Sequence, residues 1–554
     1  MKDRLKSFLL TLCLMPVLFF LSPSWGKENP ASNKKESLSK QEKKGKSTSK
    51  KQSSEKDEKN ILKRKSPKNI LYFIGDGMGP SQITLTRLVF GPLYMDGFQN
   101  IGKSKTYCSN NSVTDSAAAG TALACGFKTE RGVIGMVRKQ GKWKKVVNIA
   151  EYLRDKKGYA IGILTTTRIT HATPASFYAH VWNRNQEAEI SRQILSSHAQ
   201  VLMGGGRKYF MKRKFALEDG GLTFSDLLKK EKEKKILQLF KSHGLSFSPK
   251  GLISHISGRS YLLKEEKNWY FIHKKGDGFL VYTAFSNLRR MIQKGYKVAL
   301  DKKDLQSLGG TEKILGLFAS SHMSYEVDRD SGEEGEPSIL EMTRKALEVL
   351  SKTGKPFFLM VEGGRIDHAA HSHDGPTIAV DTFAFDRAIG FGKAWAAKDQ
   401  QTLMVITADH ATGALGISKN FQPDLVRKAL KKGWISSEVL ARRVLYDKEN
   451  VVDLLKQTAS IHDLTARELR FLHPGRFRGA SFALSKAIGH VRSERLGIYF
   501  YPLEYYGPKR PEHSGEDVPV YAFGPGSEFF RGTYENTSIP VKIMQALGIT
   551  YVPR

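Results

Sequence analysis

The sequence predicts an α/β fold in which a mostly parallel central sheet is covered by helices on both faces. Short apolar runs recur along the 554 residues, and most of them end abruptly in glycine, acidic residues or histidine. Helical stretches lie between these runs. Apolar strands that alternate with helices favour parallel pairing, because the helices supply the crossovers and bury both sheet faces.

Five apolar runs are the predicted strands of this sheet. They span residues 69–74, 159–166, 356–362, 402–407 and 518–523. The stretches that we expect to be helical include 116–125, 146–156 and 338–352. Functional groups in such sheets lie beyond the carboxyl ends of the strands. We therefore expect the chemistry of this chain at the residues that follow the apolar runs.

The first 66 residues differ in composition from the remainder. Residues 1–26 combine a basic start, a sixteen-residue apolar stretch from Ser7 to Ser22, and small residues at Ser24 and Gly26. This pattern is typical of a signal peptide and is shorter than the ~20 residues of a membrane span. Residues 27–66 are rich in lysine and serine, so we expect a disordered basic tether. The prediction is an exported protein, periplasmic or extracellular.

Charge and cysteine content narrow the classes of partner. Lysine and arginine number 88 against 55 acidic residues, giving a formal net charge of +33. Such a charge attracts polyanions, and we expect electrostatic attachment to an anionic envelope surface through the basic tether, without a specific nucleic-acid partner. Export would leave Cys108 and Cys125, which allow one disulfide; we expect both to be free.

Carboxylates and histidines follow several of the predicted strands. The segment EGGRIDHAAH at 362–371 follows FFLMV, and its Asp367 and His371 are four residues apart, on one face of a helical turn. Asp409 and His410 follow TLMVIT, Asp76 follows the first strand, and His513 precedes the last. A single such residue is more often structural. Four groups at strand ends indicate a metal centre.

Ser116 lies at the start of a predicted helix in VTDSAAAGTA at 113–122. Free backbone N–H groups at a helix start favour an alkoxide or a bound anion. On its own, the pair Asp115 and Ser116 is more simply a helix cap. The accompanying metal-ligand groups favour a serine nucleophile.

These motifs, with HATPASFYAHVWNR at 171–184 and EHSGEDVPVYAFGPG at 512–526, resemble the alkaline phosphatase family in kind and order from Asn69 to the end. The resemblance implies hydrolysis of small phosphate monoesters through a phosphoserine at Ser116. It also implies two zinc ions, one held by Asp367, His371 and His513 and the other by Asp409, His410 and Asp76. A third ion, usually magnesium, would be held by Asp76, Thr173 and Glu362.

Further roles follow from the same resemblance. Arg184 would grip the phosphate, and Asp115 would orient that arginine. His171 and His368 occupy positions at which the family varies, and both are expected to lie just outside the metal ligands, with His171 acting through metal-bound water. The resemblance further implies a homodimer and one catalytic domain at 67–554. The segments at about 211–300 and 420–500 interrupt the alternating pattern, and we expect them to be insertions that serve as lids, dimer contacts or surface elaborations rather than an independent domain.

Two other functions remain as alternatives. One is a phosphodiesterase of the same superfamily, which would generally use threonine as nucleophile and lack the arginine. A sulfatase is not favoured, because it would need a C/S-x-P-x-R context that the chain does not have around Ser116. A polyanion-binding envelope protein with weak or absent activity would account for the charge alone. His373 matches no motif, and we expect it to be solvated or locally bonded.

Overall fold

Strands and helices alternate through the computed structural model, which describes residues 66–218, 252–257, 260–265, 268–276, 278–309, 313–332, 334–459, 461–474, 480–500, 513–550 and 553. The predicted signal peptide at 1–26 and the tether at 27–66, except Ser66, lie outside the described residues. The strands are β1 (Asn69–Gly75), β2 (Asn100–Lys105), β3 (Met136–Lys139), β4 (Lys142–Lys145), β5 (Ala160–Arg168), β6 (Val201–Gly205), β7 (Met211–Glu218), β8 (Leu252–Ser257), β9 (Ser260–Glu265), β10 (Asn268–Lys275), β11 (Gly278–Ala284), β12 (Tyr296–Ala299), β13 (Lys313–Leu317), β14 (Phe357–Glu362), β15 (Thr402–Ala408), β16 (Ala411–Thr412), β17 (Gly416–Ile417), β18 (Ile498–Tyr499), β19 (His513–Ser514), β20 (Val518–Phe523) and β21 (Gly532–Glu535). The helices are α1 (Pro80–Phe90), α2 (Ser116–Cys125), α3 (Ile149–Lys157), α4 (Ala172–Ala175), α5 (Glu187–Ser197), α6 (Ser286–Gln293), α7 (Lys302–Ser307), α8 (Ile339–Ser351), α9 (Arg365–His371), α10 (Gly375–Asp399), α11 (Pro423–Lys431), α12 (Ser437–Tyr446), α13 (Val451–Ala459), α14 (Ala466–Leu472), α15 (Ser481–Glu494) and α16 (Ser538–Ala546).

A ten-stranded sheet forms the centre, in the order β12-β13-β6-β5-β14-β1-β15-β20-β2-β21. β20 runs antiparallel to both of its neighbours, and the other nine strands share one direction. The predicted mostly parallel α/β sheet is therefore confirmed, and β1 lies between β14 and β15 at its middle. This arrangement brings the carboxyl ends of three predicted strands to one edge.

Two hydrophobic cores cover the two faces of the sheet. Along β1, Ile70, Tyr72 and Ile74 belong to one core, while Leu71 and Phe73 belong to the other. All five side chains are fully buried. A strand buried on both faces needs apolar residues at every position, which explains the uninterrupted apolar run in the sequence.

The predicted helices form with small shifts at their starts. The helix expected at 146–156 begins at Ile149, because the Asn148 side chain accepts a hydrogen bond from the Glu151 N–H and Glu151 caps it in return. Ser338 caps α8 in the same way. These capping boxes place the helix boundary one to three residues later than the sequence pattern suggested.

A second sheet occupies much of the range 211–300. It is antiparallel, has five strands in the order β7-β11-β10-β9-β8, and was not predicted. His273 of β10 contacts two carboxylates at the start of α7. Its ring nitrogens lie 3.3 Å from an Asp301 oxygen and 3.5 Å from an Asp304 oxygen. The same range also contains β12, which pairs with β13 as the edge strand of the central sheet.

Helices α12 to α15 form a bundle within the range 420–500. Its own core includes buried residues of α12, α13 and α15, such as Leu440, Leu455 and Ile488. We call this segment, Trp434 to Glu494, the helical bundle. It provides a compact hydrophobic unit beside the central sheet.

The helical bundle is bonded to the turn that follows α9. Asp374 in that turn accepts hydrogen bonds from the Ser437 N–H at 2.7 Å and from the Trp434 indole N–H at 3.2 Å. Ser493 donates its hydroxyl to the His373 carbonyl at 2.7 Å. Gly489 packs so closely that a Cβ there would lie 2.0 Å from the Ser372 carbonyl oxygen. The bundle therefore holds the turn immediately after His371.

His373 lies in this turn and is not solvated. It is 1 % exposed, stacks on Phe500 with ring centroids 4.5 Å apart, and has its Nδ1 3.3 Å from Nδ1 of His490. Its partners come from distant parts of the chain, since the helical bundle closes over the turn. Cys108 and Cys125 are both buried and do not form a disulfide with each other, as expected. Among the described residues, none of the helices has the length and apolar character to span a membrane.

Gly489→Ala tests whether the bundle holds this turn. The added methyl group would overlap the Ser372 carbonyl, so we expect the free energy of unfolding to fall by about 1–3 kcal/mol. Thermal unfolding measures the change. Gly416→Ala is the matched control, because a Cβ at Gly416 meets nothing within 4 Å. Equal stability of the two variants would contradict the close packing.

Candidate active site

Asp367, His371 and His513 meet where α9 and β19 lie side by side. The two histidine Nε2 atoms are 3.1 Å apart, and Asp367 lies 3.3 Å from His371 and 3.7 Å from His513. His513 Nδ1 lies 2.8 Å from the Thr114 carbonyl, so Nδ1 carries the proton and Nε2 keeps its lone pair. Lone pairs and a carboxylate that converge on one point form a cation site.

A second group surrounds Ser116 at the end of β15. His410 Nε2 lies 3.2 Å from Ser116 Oγ, 3.2 Å from an Asp409 oxygen and 3.6 Å from an Asp76 oxygen. The Thr412 hydroxyl donates to Asp367 at 2.6 Å and lies 3.1 Å from His410 Nδ1. Because that hydroxyl has one proton, it accepts from Nδ1–H, and His410 Nε2 is left with its lone pair.

A third group adjoins the second through Asp76. Thr173 Oγ1 lies 3.5 Å from Asp76 Oδ2, and His171 Nδ1 lies 4.0 Å from the same oxygen. Glu362 accepts hydrogen bonds through Oε2 from Thr165 and Thr167. Asp76, His171 and Glu362 have ligand atoms close enough together to hold an ion.

Four buried atoms in these groups have no hydrogen-bond partner among the described residues: Asp76 Oδ1, Asp409 Oδ2, Glu362 Oε1 and His171 Nδ1. Buried polar groups without partners are costly, and unpaired buried carboxylates more so. Zinc binds carboxylate oxygens and imidazole nitrogens, and magnesium binds oxygen ligands. The three carboxylate oxygens in this set therefore fit bound divalent cations.

Burial and mutual repulsion shift the pKa values of this cluster. Burial raises the pKa of Asp409 to about 7 and that of Glu362 to about 8. Burial, together with the charges of Asp409, Asp367 and Glu362, raises the pKa of Asp76 well above its usual range. Burial lowers the pKa of His410 to about 4 and that of His513 to about 3. Without cations, these five groups are thus held in their less charged forms.

Asp115, Ser116 and Arg184 form the wall opposite the carboxylates. Asp115 caps α2 by accepting a bond from the Ala118 N–H, and it also accepts from the Gly132 N–H and from Arg184 at 3.0 Å. Burial alone would raise the pKa of Asp115. The Arg184 charge and these hydrogen bonds lower that pKa by more than burial raises it, so the pKa of Asp115 is lowered overall. Ser116 is the first residue of α2 and is buried.

The structure brings every sequence-predicted site residue to this edge of the sheet. His171 lies 3.0 Å from Arg184, and the ring of His368 lies 5.4 Å from the ring of His171. His368 Nδ1 is 2.8 Å from Arg365. Both histidines thus lie beside the candidate third metal group, and each has an arginine as neighbour.

Sequence reasoning missed two neighbours of the site. His322 packs its ring 4.2 Å from that of His368 and 5.4 Å from that of His171, and its Nε2 contacts Arg168. It follows β13 by five residues, so the strand-end rule could have found it. Thr412 links Asp367 to His410, and its position beside TADH was the available signal.

Such a cluster, at the carboxyl edge of a parallel sheet and facing a buried serine, defines a metal-dependent hydrolase. The model of the alkaline phosphatase family matches residues 67–247, 258–467 and 502–549. The chain belongs to the alkaline phosphatase family.

Individual relatives agree. The chain is 31% identical over 520 residues to an alkaline phosphatase of Gadus morhua, covering 86% of this chain and 91% of the relative. It is 29% identical over 486 residues to alkaline phosphatase 4 of Bacillus subtilis (strain 168), covering 85% and 86%.

Solved structures share the fold. The cold-active alkaline phosphatase from the psychrophile Shewanella sp. aligns with a TM-score of 0.64 at 25% identity, covering 86% of this chain and 99% of that chain. Alkaline phosphatase from the Antarctic bacterium TAB5 aligns with a TM-score of 0.54 at 25% identity, covering 87% and 99%. A histidine-to-aspartate variant of the TAB5 enzyme is described with magnesium in its M3 site.

Metal removal should make stability depend on pH. Between pH 7.5 and 9, unfolded carboxyl groups are ionised, whereas Glu362, and Asp409 in part, still bind protons in the folded metal-free protein. The folded state then binds more protons, so its free energy of unfolding falls as pH rises. The buried histidines oppose this trend at lower pH, but above about pH 7.5 unfolded histidine is almost entirely neutral and they no longer contribute. Thermal unfolding of chelated protein at pH 7.5 and 9 measures the trend.

Glu362→Gln is the control for this measurement. The variant lacks one titrating group, so its melting temperature should fall less over the same interval. Zinc competes with protons for the ligands, and its stabilising effect should therefore grow with pH. A melting temperature of the chelated protein that rises from pH 7.5 to 9 would contradict the raised carboxyl pKa values.

Proposed function

We propose that this phosphatase hydrolyses small phosphate monoesters to an alcohol and inorganic phosphate through a phosphoserine at Ser116. The single observation that supports this most is the position of Ser116 Oγ, 3.2 Å from the same His410 Nε2 that lies 3.2 Å from Asp409 Oδ2 and 3.6 Å from Asp76 Oδ1. A hydroxyl beside a cation site at a helix start is favoured to ionise. Ser116 is thereby the candidate nucleophile.

The ligand sets support two zinc ions and one magnesium. Asp367, His371 and His513 would hold one zinc; Asp76, Asp409 and His410 would hold the other; and Asp76, Thr173 and Glu362 would hold magnesium. When bound, the cation beside Ser116 would lower the pKa of its hydroxyl, and the cation at Asp367, His371 and His513 would stabilise the leaving alcohol oxygen and lower the pKa of a bound water.

The chain's own residues then divide the remaining work. Ser116 Oγ bonds to phosphorus as the bond from phosphorus to the alcohol oxygen breaks, and the serine proton passes through solvent to the departing alcohol oxygen. Water later attacks phosphorus and breaks its bond to Ser116 Oγ; the water oxygen stays on the released phosphate and one water proton returns to Ser116. Asp115 holds Arg184 at 3.0 Å, so that its planar group can donate two bonds to the phosphate.

His171 is proposed to act through water at the magnesium site. Arginine has donors only, so the 3.0 Å contact with Arg184 makes His171 Nε2 an acceptor and places the proton on Nδ1. That Nδ1–H points toward Asp76, at 4.0 Å. A protonated nitrogen can bond to a water or carboxylate there but cannot bind a cation. His368 is proposed to support this arrangement from outside the ligands.

Location and assembly are further proposals. The signal-like residues 1–26 favour export to the periplasm or beyond, and the basic segment 27–66 favours electrostatic attachment to an anionic envelope surface. A homodimer is proposed on the strength of the family resemblance. Diester hydrolysis and a purely polyanion-binding role are less favoured, since the chain belongs to a phosphatase family and its metal-ligand set is complete.

Ser116→Ala tests the nucleophile. We expect kcat for p-nitrophenyl phosphate to fall by at least about a thousandfold, because no phosphoserine can form. Metal content should stay at the wild-type level, since the serine is not one of the proposed metal ligands. Unchanged turnover in the variant would remove Ser116 as nucleophile. Unchanged turnover of the wild type after chelation would remove the metal-dependent mechanism.

Arg184→Ala tests the preference for monoesters. A lost charged hydrogen-bond donor costs about 1.5–3 kcal/mol, so kcat/KM for p-nitrophenyl phosphate should fall about 10- to 100-fold. A diester offers less charge to the arginine, and its kcat/KM should fall less. Parallel assays with bis-p-nitrophenyl phosphate provide the comparison. A larger fall in kcat/KM for the diester than for the monoester would contradict the proposed role of Arg184 in the preference for monoesters.

A further inference from the structure

An aromatic side chain of the helical bundle lies beside the proposed leaving-group metal site. Phe482, in the first turn of α15, is 58 % exposed, although it is a large apolar residue. Its ring centroid lies 6.5 Å from that of His371, edge to face at 68°. His371 is one of the three residues around which that site is built.

Phe482 does not belong to the core of the bundle. Further along the same helix, Leu484, Ala487, Ile488 and Val491 are buried in that core. Phe482 lies on the side of α15 that faces His371. Burial within the bundle therefore does not account for its position.

The contact is held by a well-anchored helix. Ser485 donates its hydroxyl to Ser372 at 3.3 Å, and Ser493 bonds to the His373 carbonyl at 2.7 Å. Gly489 allows the helix to approach the same turn at van der Waals distance. Three successive turns of α15 are thus fixed to the residues directly after His371, and Phe482 is fixed with them.

This part of the chain is not shared with the family model. The model's matches end at residue 467 and resume at residue 502, so Phe482 and the whole of α15 lie between them. The aromatic neighbour of His371 thus lies outside the matched segments of the model. Function on a shared fold depends on the residues around each site, so a side chain beside this site can affect substrate preference without changing the chemistry.

We propose that Phe482 is a specificity residue that contacts flat aromatic leaving groups, such as the aryl or nucleoside part of a monoester. This inference rests on the proposed function, in which Asp367, His371 and His513 lie on the leaving-group side. An exposed ring fixed beside that site offers a face or edge to a second ring. Such a pair strengthens binding about 3- to 10-fold.

Phe482→Ala tests the proposal with two substrates of similar chemical reactivity. Adenosine 5′-monophosphate and glycerol 3-phosphate both release a primary alcohol, but only the former carries an aromatic group. The ratio of their kcat/KM values should fall about 3- to 10-fold in the variant. Phe482→Tyr keeps the ring and should keep the ratio. A ratio unchanged in Phe482→Ala would overturn the proposal.

Inhibitor binding supplies a readout independent of turnover. The Ki of phenylphosphonate relative to that of methylphosphonate should rise by the same factor in Phe482→Ala. Tyr446→Ala is the matched control, because Tyr446 is an aromatic residue of the same bundle and is 67 % exposed. An equal rise in the control would assign the effect to the bundle as a whole and overturn the proposal.

The two proposals fail in different ways. If Phe482→Ala leaves the ratio of the two kcat/KM values unchanged while Ser116-dependent turnover is normal, the role of Phe482 is rejected and the proposed function stays intact. Absence of monoester turnover in the metal-loaded wild type would reject the proposed function itself. A melting temperature within about 2 °C of wild type identifies a folded variant, and Phe482→Leu replaces Phe482→Ala if that variant unfolds.

Discussion

Repulsion among four buried carboxylates is the constraint around which this structure is arranged. Asp76, Glu362, Asp367 and Asp409 lie at one edge of the sheet, and the first of them is destabilised in its charged form by the other three. Each carboxylate comes from the end of β14 or β15, from the residue after β1, or from α9 just beyond. The parallel register that makes these strand ends coincide is therefore also what brings the negative charges together.

Neutral donors surround this charge without cancelling it. Thr165 and Thr167 bond to one oxygen of Glu362, and Thr412 bonds to one oxygen of Asp367. The histidines are held as neutral acceptors by the Thr114 carbonyl and the Thr412 hydroxyl. Each ligand is thus oriented by a second residue, while the atoms that face the centre are left available.

Much of this site could be predicted from the sequence, because strand ends are local features. Asp76 and the pair Asp409 and His410 directly follow apolar runs, and the rule that parallel strands end at one edge brings them together. Phe482 was not predictable in this way. Its contact with His371 joins segments 111 residues apart and depends on a helical bundle whose position no local pattern specifies.

The same limit explains the missed antiparallel sheet. In β10, NWYFIHKK, four consecutive buried residues lie between polar ends, so the alternation expected of a sheet with one exposed face is absent. Its lysines suggested a solvated surface segment instead. The central strands were predictable because both of their faces are apolar.

The cap of α10 has a consequence for how this fold could change in evolution. Asp374 caps that 25-residue helix and also receives the N–H groups of Trp434 and Ser437. Trimming the bundle away would leave a buried carboxylate short of donors at the start of a core helix. The helical bundle is therefore required for the stability of the core helix α10. In evolution its exposed residues can change more readily than the bundle can be lost.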